Sequence, residues 1–250
     1  MTVTALWRHP IKSHGREALE RVTLTKGKTM PWDRVWAVTH EATKFDHDAP
    51  TWAQYHNFII GSRTPSVAGI WAKLDEASRQ VSLRHADLDD LTICPDEASD
   101  IARFLAWVAP LCPANRARPS DIVTAGDRGM TDSPFPSISI MNMASHAAVA
   151  GALGTDIDIA RWRGNIWLEG LPAWAEFDWT GNDIRIGGSV LRVRERIKRC
   201  PLTNTNTTTG QRDTDTLGVL NGVFGHQDFG VYAEVIESGD ISIGAPAELV

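Results

Sequence analysis

Cysteine, tyrosine and long apolar runs are all scarce in this chain of 250 residues. The three cysteines, Cys94, Cys112 and Cys200, stand far apart in sequence and form no Cys-x-x-Cys pair. That excludes a zinc ribbon, a thioredoxin-type redox motif and an iron–sulfur cluster. No apolar stretch approaches the roughly 20 residues a membrane-crossing helix needs, so no membrane association is expected. Residues Met1 to Pro10 carry neither the basic nor the apolar part of a secretory signal, and three lone thiols then fit a reducing cytoplasm. Gly-x-Ser-x-Gly, Walker-type and Gly-x-Gly-x-x-Gly sequences are missing too, which removes the usual serine-hydrolase, P-loop and dinucleotide-binding readings. Among the eight histidines no pair has the i, i+4 spacing of a helical zinc site, and they read as surface residues. Positive charge is not in surplus: 25 Lys and Arg face 31 Asp and Glu, a net charge of −6. This argues against nucleic acid as a partner and leaves room only for a local basic site.

What remains is an ordinary globular composition, 42% hydrophobic and 22% charged, with ten tryptophans against two tyrosines. Trp7, Trp36 and Trp167 fall within strand-like runs and suit barrel cores. The chain opens on alternation, with Val3, Ala5 and Trp7 on one face of a strand that Pro10 ends. Further alternating runs at 22–25 and 35–40 predict a meander, whereas 40–66 is weakly patterned and reads mainly as loop. A hairpin is expected over 67–84 around Asp75-Glu76-Ala77-Ser78. Ile101, Phe104, Leu105 and Val108 then follow the i, i+3, i+4, i+7 spacing of an amphipathic helix. Residues 112–119 have linker chemistry, which puts a domain boundary near 120. Beyond it, Asn142 is suited to cap a helix that Gly151 or Gly154 stops, and Gly187-Gly188 divides two alternating runs as a hairpin turn. Many short strands with few helices predict a mainly β chain with some α, an α+β fold built on barrels.

Several polar residues are placed to do chemistry. Lys12-Ser13 follows the first strand, where a cation beside a hydroxyl can hold a phosphate, although a solvated loop lysine has the same signature. Arg34 precedes the third strand and can lie beside Lys12, or form a surface ion pair. Arg163 and Asn165 precede the short apolar strand Ile166-Trp167-Leu168 and suit either a barrel mouth or a strand-end salt bridge. Asp132-Ser133 before Pro134 is also ordinary turn chemistry. Cys200 follows Lys198-Arg199, two cations that favour a thiolate able to bind a soft metal; a buried small hydrophobe is the alternative.

Taken together, these residues resemble the MOSC family, named for the C-terminal domain of molybdenum-cofactor sulfurase, and in particular the amidoxime-reducing proteins within it. Arg8-His9-Pro10-Ile11-Lys12-Ser13 looks like the family's opening strand and Pro-x-Lys-Ser loop. Trp32-Asp33-Arg34-Val35-Trp36 looks like its Gly-Asp-Arg-x-Trp segment, with Trp32 in place of glycine. Thr131-Asp132-Ser133-Pro134-Phe135, Trp162-Arg163-Gly164-Asn165-Ile166, Arg199-Cys200-Pro201-Leu202-Thr203, Asn206-Thr207-Thr208-Thr209-Gly210 and Phe229-Gly230-Val231-Tyr232 follow in the family's order. Gly164 stands where the family has proline, Asn206 where it has an acidic residue, and Lys198 where it has a small polar residue.

The resemblance implies an N-terminal β-barrel domain over 1–120 packed on a MOSC β-barrel over 121–250, with molybdopterin-bound molybdenum, the molybdenum cofactor, between them. Cys200 would be the catalytic thiolate ligand of the metal. Lys12, Ser13 and Arg34 would hold the cofactor's phosphate, Asp132, Ser133, Arg163 and Asn165 would line the pterin side, and Arg199 and Thr203 would complete the site beside the thiol. The implied activity is reduction of small N-hydroxylated compounds such as amidoximes, hydroxylamines and N-hydroxylated bases. Electrons would come from a separate donor protein of the ferredoxin or flavin-reductase type. A non-enzymatic carrier of the cofactor or of sulfur would use the same residues, and a barrel scaffold that has lost the cofactor is a third reading.

Overall fold

The computed structural model describes all 250 residues. In chain order its elements are β1 (Thr2–Arg8), β2 (Glu17–Leu19), β3 (Arg21–Leu24), β4 (Trp36–His40), β5 (Trp71–Asp75), β6 (Gln80–His85), β7 (Leu88–Ile93), α1 (Ala98–Val108) and β8 (Pro119–Thr124). Then come β9 (Ile138–Asn142), α2 (Met143–Leu153), β10 (Ile166–Glu169), β11 (Asp183–Ile186), β12 (Ser189–Lys198), α3 (Thr216–Val223), β13 (Asp228–Glu237), β14 (Gly239–Ser242) and β15 (Ala247–Leu249). The fold is mainly β with some α, as expected. No helix is long and apolar enough to cross a membrane.

Eight strands form one sheet in the order β15-β11-β12-β13-β9-β10-β1-β2. Its far edge returns to β1: Thr2 bridges Pro246, and the Val3 amide donates to the Ala245 carbonyl at 3.0 Å, so the sheet curls closed. Apolar side chains from both chain ends fill it, among them Val3, Leu6, Leu24, Ile140, Leu168, Leu191 and Val231. Each such side chain contributes about 1.5–3 kcal/mol by leaving water. A second core lies between the three-stranded β5-β6-β7 sheet, the β4–β8 pair and α1, whose Phe104 and Val108 are fully buried.

Strand pairing links the two halves of the chain. β1 pairs with β10 across some 160 residues, β3 pairs with β14, and β8, which starts within the predicted linker, pairs with β4. Local features follow the sequence more closely. The Asn142 side chain caps α2 by accepting from the Ala144 amide at 2.8 Å, and Gly154 ends that helix at φ +70°. Gly187-Gly188 turns β11 into β12.

Four expectations are corrected. In β1 the buried residues are Val3, Leu6 and Arg8, because the register shifts between Val3 and Ala5 and such a bulge moves the inward face by one residue. The predicted 67–84 hairpin starts only at Trp71, since Pro65–Gly69 forms a 3-10 turn, and β7 extends it to three strands. α3 arises where no helix was read. His9, His14, His85 and His146 are buried, not on the surface, and each has a hydrogen-bonding partner inside the fold, for all but His14 one distant in the chain.

Candidate functional site

The loop after β1 and the segment entering β4 are stitched together by backbone bonds. The Lys12 amide donates to the Trp36 carbonyl at 2.7 Å and the Arg34 amide to the His9 carbonyl at 2.7 Å. This brings Lys12 and Arg34 to one wall of a cavity of about 550 Å³. The rest of the lining comes from the second half of the chain: Asp132, Arg163 at the entry to β10, Arg199, Cys200 and Thr203 after β12, and Tyr232 of β13. Of the residues singled out in the sequence, Lys12, Ser13, Arg34, Asp132, Arg163, Arg199, Cys200 and Thr203 all border this space.

Ser133 and Asn165 do not. The Ser133 hydroxyl donates to the Phe135 carbonyl at 2.7 Å and bonds Ser137 Oγ at 2.6 Å, which holds the turn behind Asp132. Asn165 accepts from Ser139 Oγ at 2.8 Å and donates to the Trp7 carbonyl at 3.2 Å, pinning β1, β9 and β10 beneath the cavity. Both are buried and turn to partners inside the fold. Arg63, Arg161, Trp162 and Tyr232 also line the cavity and were not singled out. Tyr232 lies within the Phe-Gly-Val-Tyr motif and Arg161 two residues before Arg163, so proximity to recognised motifs was the available signal. Arg63 comes from the weakly patterned 40–66 region and had none.

Three of the six non-glycine residues with positive φ border the cavity, namely Ser13 (φ +65°), Arg34 (φ +56°) and Arg163 (φ +50°). Such conformations are strained for L-residues and concentrate where side chains must be aimed. Trp32, at φ +62°, shows why the family prefers glycine there. Its ring stacks on Trp36 at 5.9 Å between centroids and its indole N–H donates to Glu76 at 3.0 Å, contacts that hold the strained residue in place. Gly164 has a similar local reason: a Cβ at that position would lie 2.3 Å from Cγ of Met141, so the methionine occupies the space that a family proline would need.

The charges are built from behind. Asp33 is fully buried; it accepts from the His9 amide at 2.7 Å and pairs with Arg34. Burial alone would raise the Asp33 carboxyl, but Arg34 and the bonds from His9 outweigh it and hold the group well below the usual carboxylate range. Burial also works against the Arg34 guanidinium, yet Asp33 and Asp132 keep it above its ordinary value. Lys12 donates to the Met130 carbonyl at 2.7 Å and pairs with Asp132, although its burial pulls its pKa down. Arg161 makes a two-pronged pair with Asp213 at 2.7 and 2.8 Å, leaving its Nε without a partner. Arg163 has no carboxylate partner and donates only to the Gly15 carbonyl, at 3.2 Å. Burial and the neighbouring Arg34 push it down to about 9. Arg199 donates to the carbonyls of Phe229 and Trp162, at 2.9 and 2.8 Å, and burial pushes it down to about 10.

Cys200 begins the 3-10 turn Pro201–Asn204, and its thiol faces the cavity's solvent. Burial by the surrounding walls and the Asp132 carboxylate push the thiol up, against Arg199 and the backbone bond at Leu202. The Thr203 hydroxyl is occupied by the Cys200 carbonyl at 3.2 Å and by Thr216 Oγ1 at 2.6 Å, so Thr203 braces the turn. Ser13 also lines the cavity, and its hydroxyl bonds to no other group of the chain.

A single thiol among concentrated guanidinium and ammonium groups defines a site for an anionic ligand with one soft attachment point. The sequence agrees with that class: residues 1–109 match a MOSC N-terminal beta barrel domain and residues 127–248 match a MOSC domain. The chain belongs to the MOSC family. Among solved structures it is similar to the YuaD protein from Bacillus subtilis, at 12% identity over 100% of this chain and 96% of that one, with a TM-score of 0.46. It also resembles YiiM from Geobacillus stearothermophilus, at 20% identity over 45% of this chain and with a TM-score of 0.36. YiiM from Escherichia coli matches at 18% identity over 45% of this chain, with a TM-score of 0.34. The chain spans about half the length of the YiiM proteins it matches, 53% in each case. None of the curated protein sequences matches it.

Proposed function

We propose that this protein binds molybdenum held by molybdopterin in the cavity and is an oxidoreductase that reduces N-hydroxylated compounds. The observation that carries the reading is Arg163: a half-buried guanidinium, held in a strained conformation beside Arg34, that forms no ion pair. A largely desolvated cation without a paired carboxylate is favoured when a bound anion supplies the counter-charge. The donor set fits such a cofactor. Lys12, Ser13, Arg34 and Arg163 would take its phosphate and neighbouring polar edge, and Cys200 would take the metal.

When bound, the group supplies two-electron chemistry: an N–O bond breaks, two electrons and two protons are taken up, and amine and water leave. The chain's own part is placement and protons. The Tyr232 phenol, pushed up by burial and by Asp132, stays protonated and presents an O–H donor to the cavity. The paired charges of Lys12 and Asp132 orient each other across the wall. Electrons would come from a donor protein of the ferredoxin or flavin-reductase type.

The test is turnover of benzamidoxime with reduced viologen, using protein made in a cofactor-producing host. Wild type is expected to form benzamidine and Cys200→Ser to lose at least a hundredfold in rate. Equal rates for the two proteins, or cofactor passed to an apo-enzyme without any turnover, would overturn the reading.

A further inference from the structure

The basic residues bordering the cavity fall into two kinds. Lys12, Arg34 and Arg161 are tied to carboxylates, and Arg163 and Arg199 to backbone carbonyls. Arg63 and Lys198 are exposed and make no side-chain hydrogen bond or ion pair with any group of the chain.

These two reach the cavity that holds the thiol from different parts of the sequence. Lys198 ends β12, two residues before Cys200. Arg63 closes a turn in which its amide donates to the Ile60 carbonyl at 3.0 Å. That turn rests on Leu202, two residues after the thiol: a Cβ on Gly61 would come within 2.5 Å of Leu202 Cδ1. The same rim carries Tyr55, half exposed, with Ile60 and Leu202. Asp132 is the one acidic residue lining the cavity, and Lys12 already engages it. The rim therefore offers an apolar and aromatic surface with two unspent positive charges, in a chain whose net charge is −6.

We propose that Arg63 and Lys198 determine substrate class, selecting an N-hydroxylated aromatic or heteroaromatic compound that carries an anionic tail, a carboxylate or a phosphate. The proposal rests on the reductase reading above and narrows it. An exposed contact pair in water is worth roughly a factor of five, so two such cations favour an anionic over a neutral substrate by about tenfold or more at low salt. Salt screens the preference, because both charges are exposed.

The test uses the protein as isolated from a cofactor-producing host and compares kcat/KM for matched pairs: 4-carboxybenzamidoxime against benzamidoxime, and N4-hydroxycytidine 5′-phosphate against N4-hydroxycytidine. The anionic member is expected to be favoured about tenfold in at least one pair, and Arg63→Glu/Lys198→Glu to invert that ratio. The pair with the larger preference identifies the tail as carboxylate or phosphate. A ratio near one in both pairs, or one that the charge reversal does not move, would overturn the proposal. A binding measurement that needs no turnover separates this failure from that of the reductase reading: quenching of tryptophan fluorescence by 4-carboxybenzamide against benzamide. Charge-dependent binding without turnover of any substrate would sink the reductase activity and keep the anion-selecting rim. Binding of the two amides with equal affinity would sink the rim proposal whatever the turnover.

Discussion

At the cavity floor Arg34 and Lys12 lie against carboxylates in a largely buried wall, while at the rim Arg63 and Lys198 extend into solvent with no partner. The same side-chain types thus meet opposite conditions a short distance apart. Floor cations are fixed by second groups such as Asp33 and His9, so their geometry exists before any ligand arrives, and the fold depends on them. Rim cations are free to meet a ligand but contribute little to the fold. Preorganised charge binds a resident group tightly, and mobile exposed charge tunes which visitor is preferred.

The sharpest way to break this contrast is Asp33→Asn. It leaves Arg34 without its buried counter-charge and removes an acceptor from His9, and it is expected to cost on the order of 3 kcal/mol in urea unfolding. A loss under 1 kcal/mol would mean that the floor is not held from behind.

Acid probes the same region. Burial and Arg163 push His9 down to about 3, and burial pushes His14 down to about 4, so both are neutral in the folded protein at mild acid pH. In the unfolded chain each takes up a proton near its ordinary value. The unfolded state then binds more protons, and stability falls as pH drops, by on the order of 2 kcal/mol per pH unit between about pH 6 and pH 4.5. His14→Gln should remove roughly half of that slope in urea titrations run across the range. An unchanged slope would show that other groups carry it.

Reversing the rim completes the series with the smallest effect. Arg63→Glu/Lys198→Glu is expected to change unfolding free energy by less than about 0.5 kcal/mol. A larger loss would place these side chains in the fold's support.

Local chemistry made part of this legible from residues alone. The helical spacing of Ile101 to Val108, the capping residue Asn142 and the Gly187-Gly188 turn act within a few residues, and each appears where the pattern put it. α3 was hidden because Gly218 and Gly222 lower its helix propensity, and its Asp215 cap, accepting from the Gly218 amide at 2.9 Å, lies in a polar loop without period. The pairing of β1 with β10 is set by tertiary packing and leaves no trace at short range. The site divides in the same way. Lysine, arginine and cysteine announce their chemistry by type, so most of the cavity's charged residues could be named in advance. Ser133 and Asn165 could not be separated from them, because whether a short polar side chain faces a ligand or a neighbouring strand depends on partners distant in the chain. His9, His85 and His146 are buried against such partners too. The surplus of tryptophan is now partly explained: Trp36 and Trp167 are buried in the cores, and Trp162 stacks on Phe229 at 3.7 Å beneath Arg199.

The contrast between floor and rim has meaning only if the floor holds a resident anion bound through Cys200. The most direct measurement is molybdenum and pterin content per chain in protein made in a cofactor-producing host, for wild type and for Arg163→Ala. About one molybdenum and one pterin per wild-type chain, with both falling at least tenfold in the variant, is the predicted result. Wild-type protein with neither above background, or a variant that retains both in full, would contradict it.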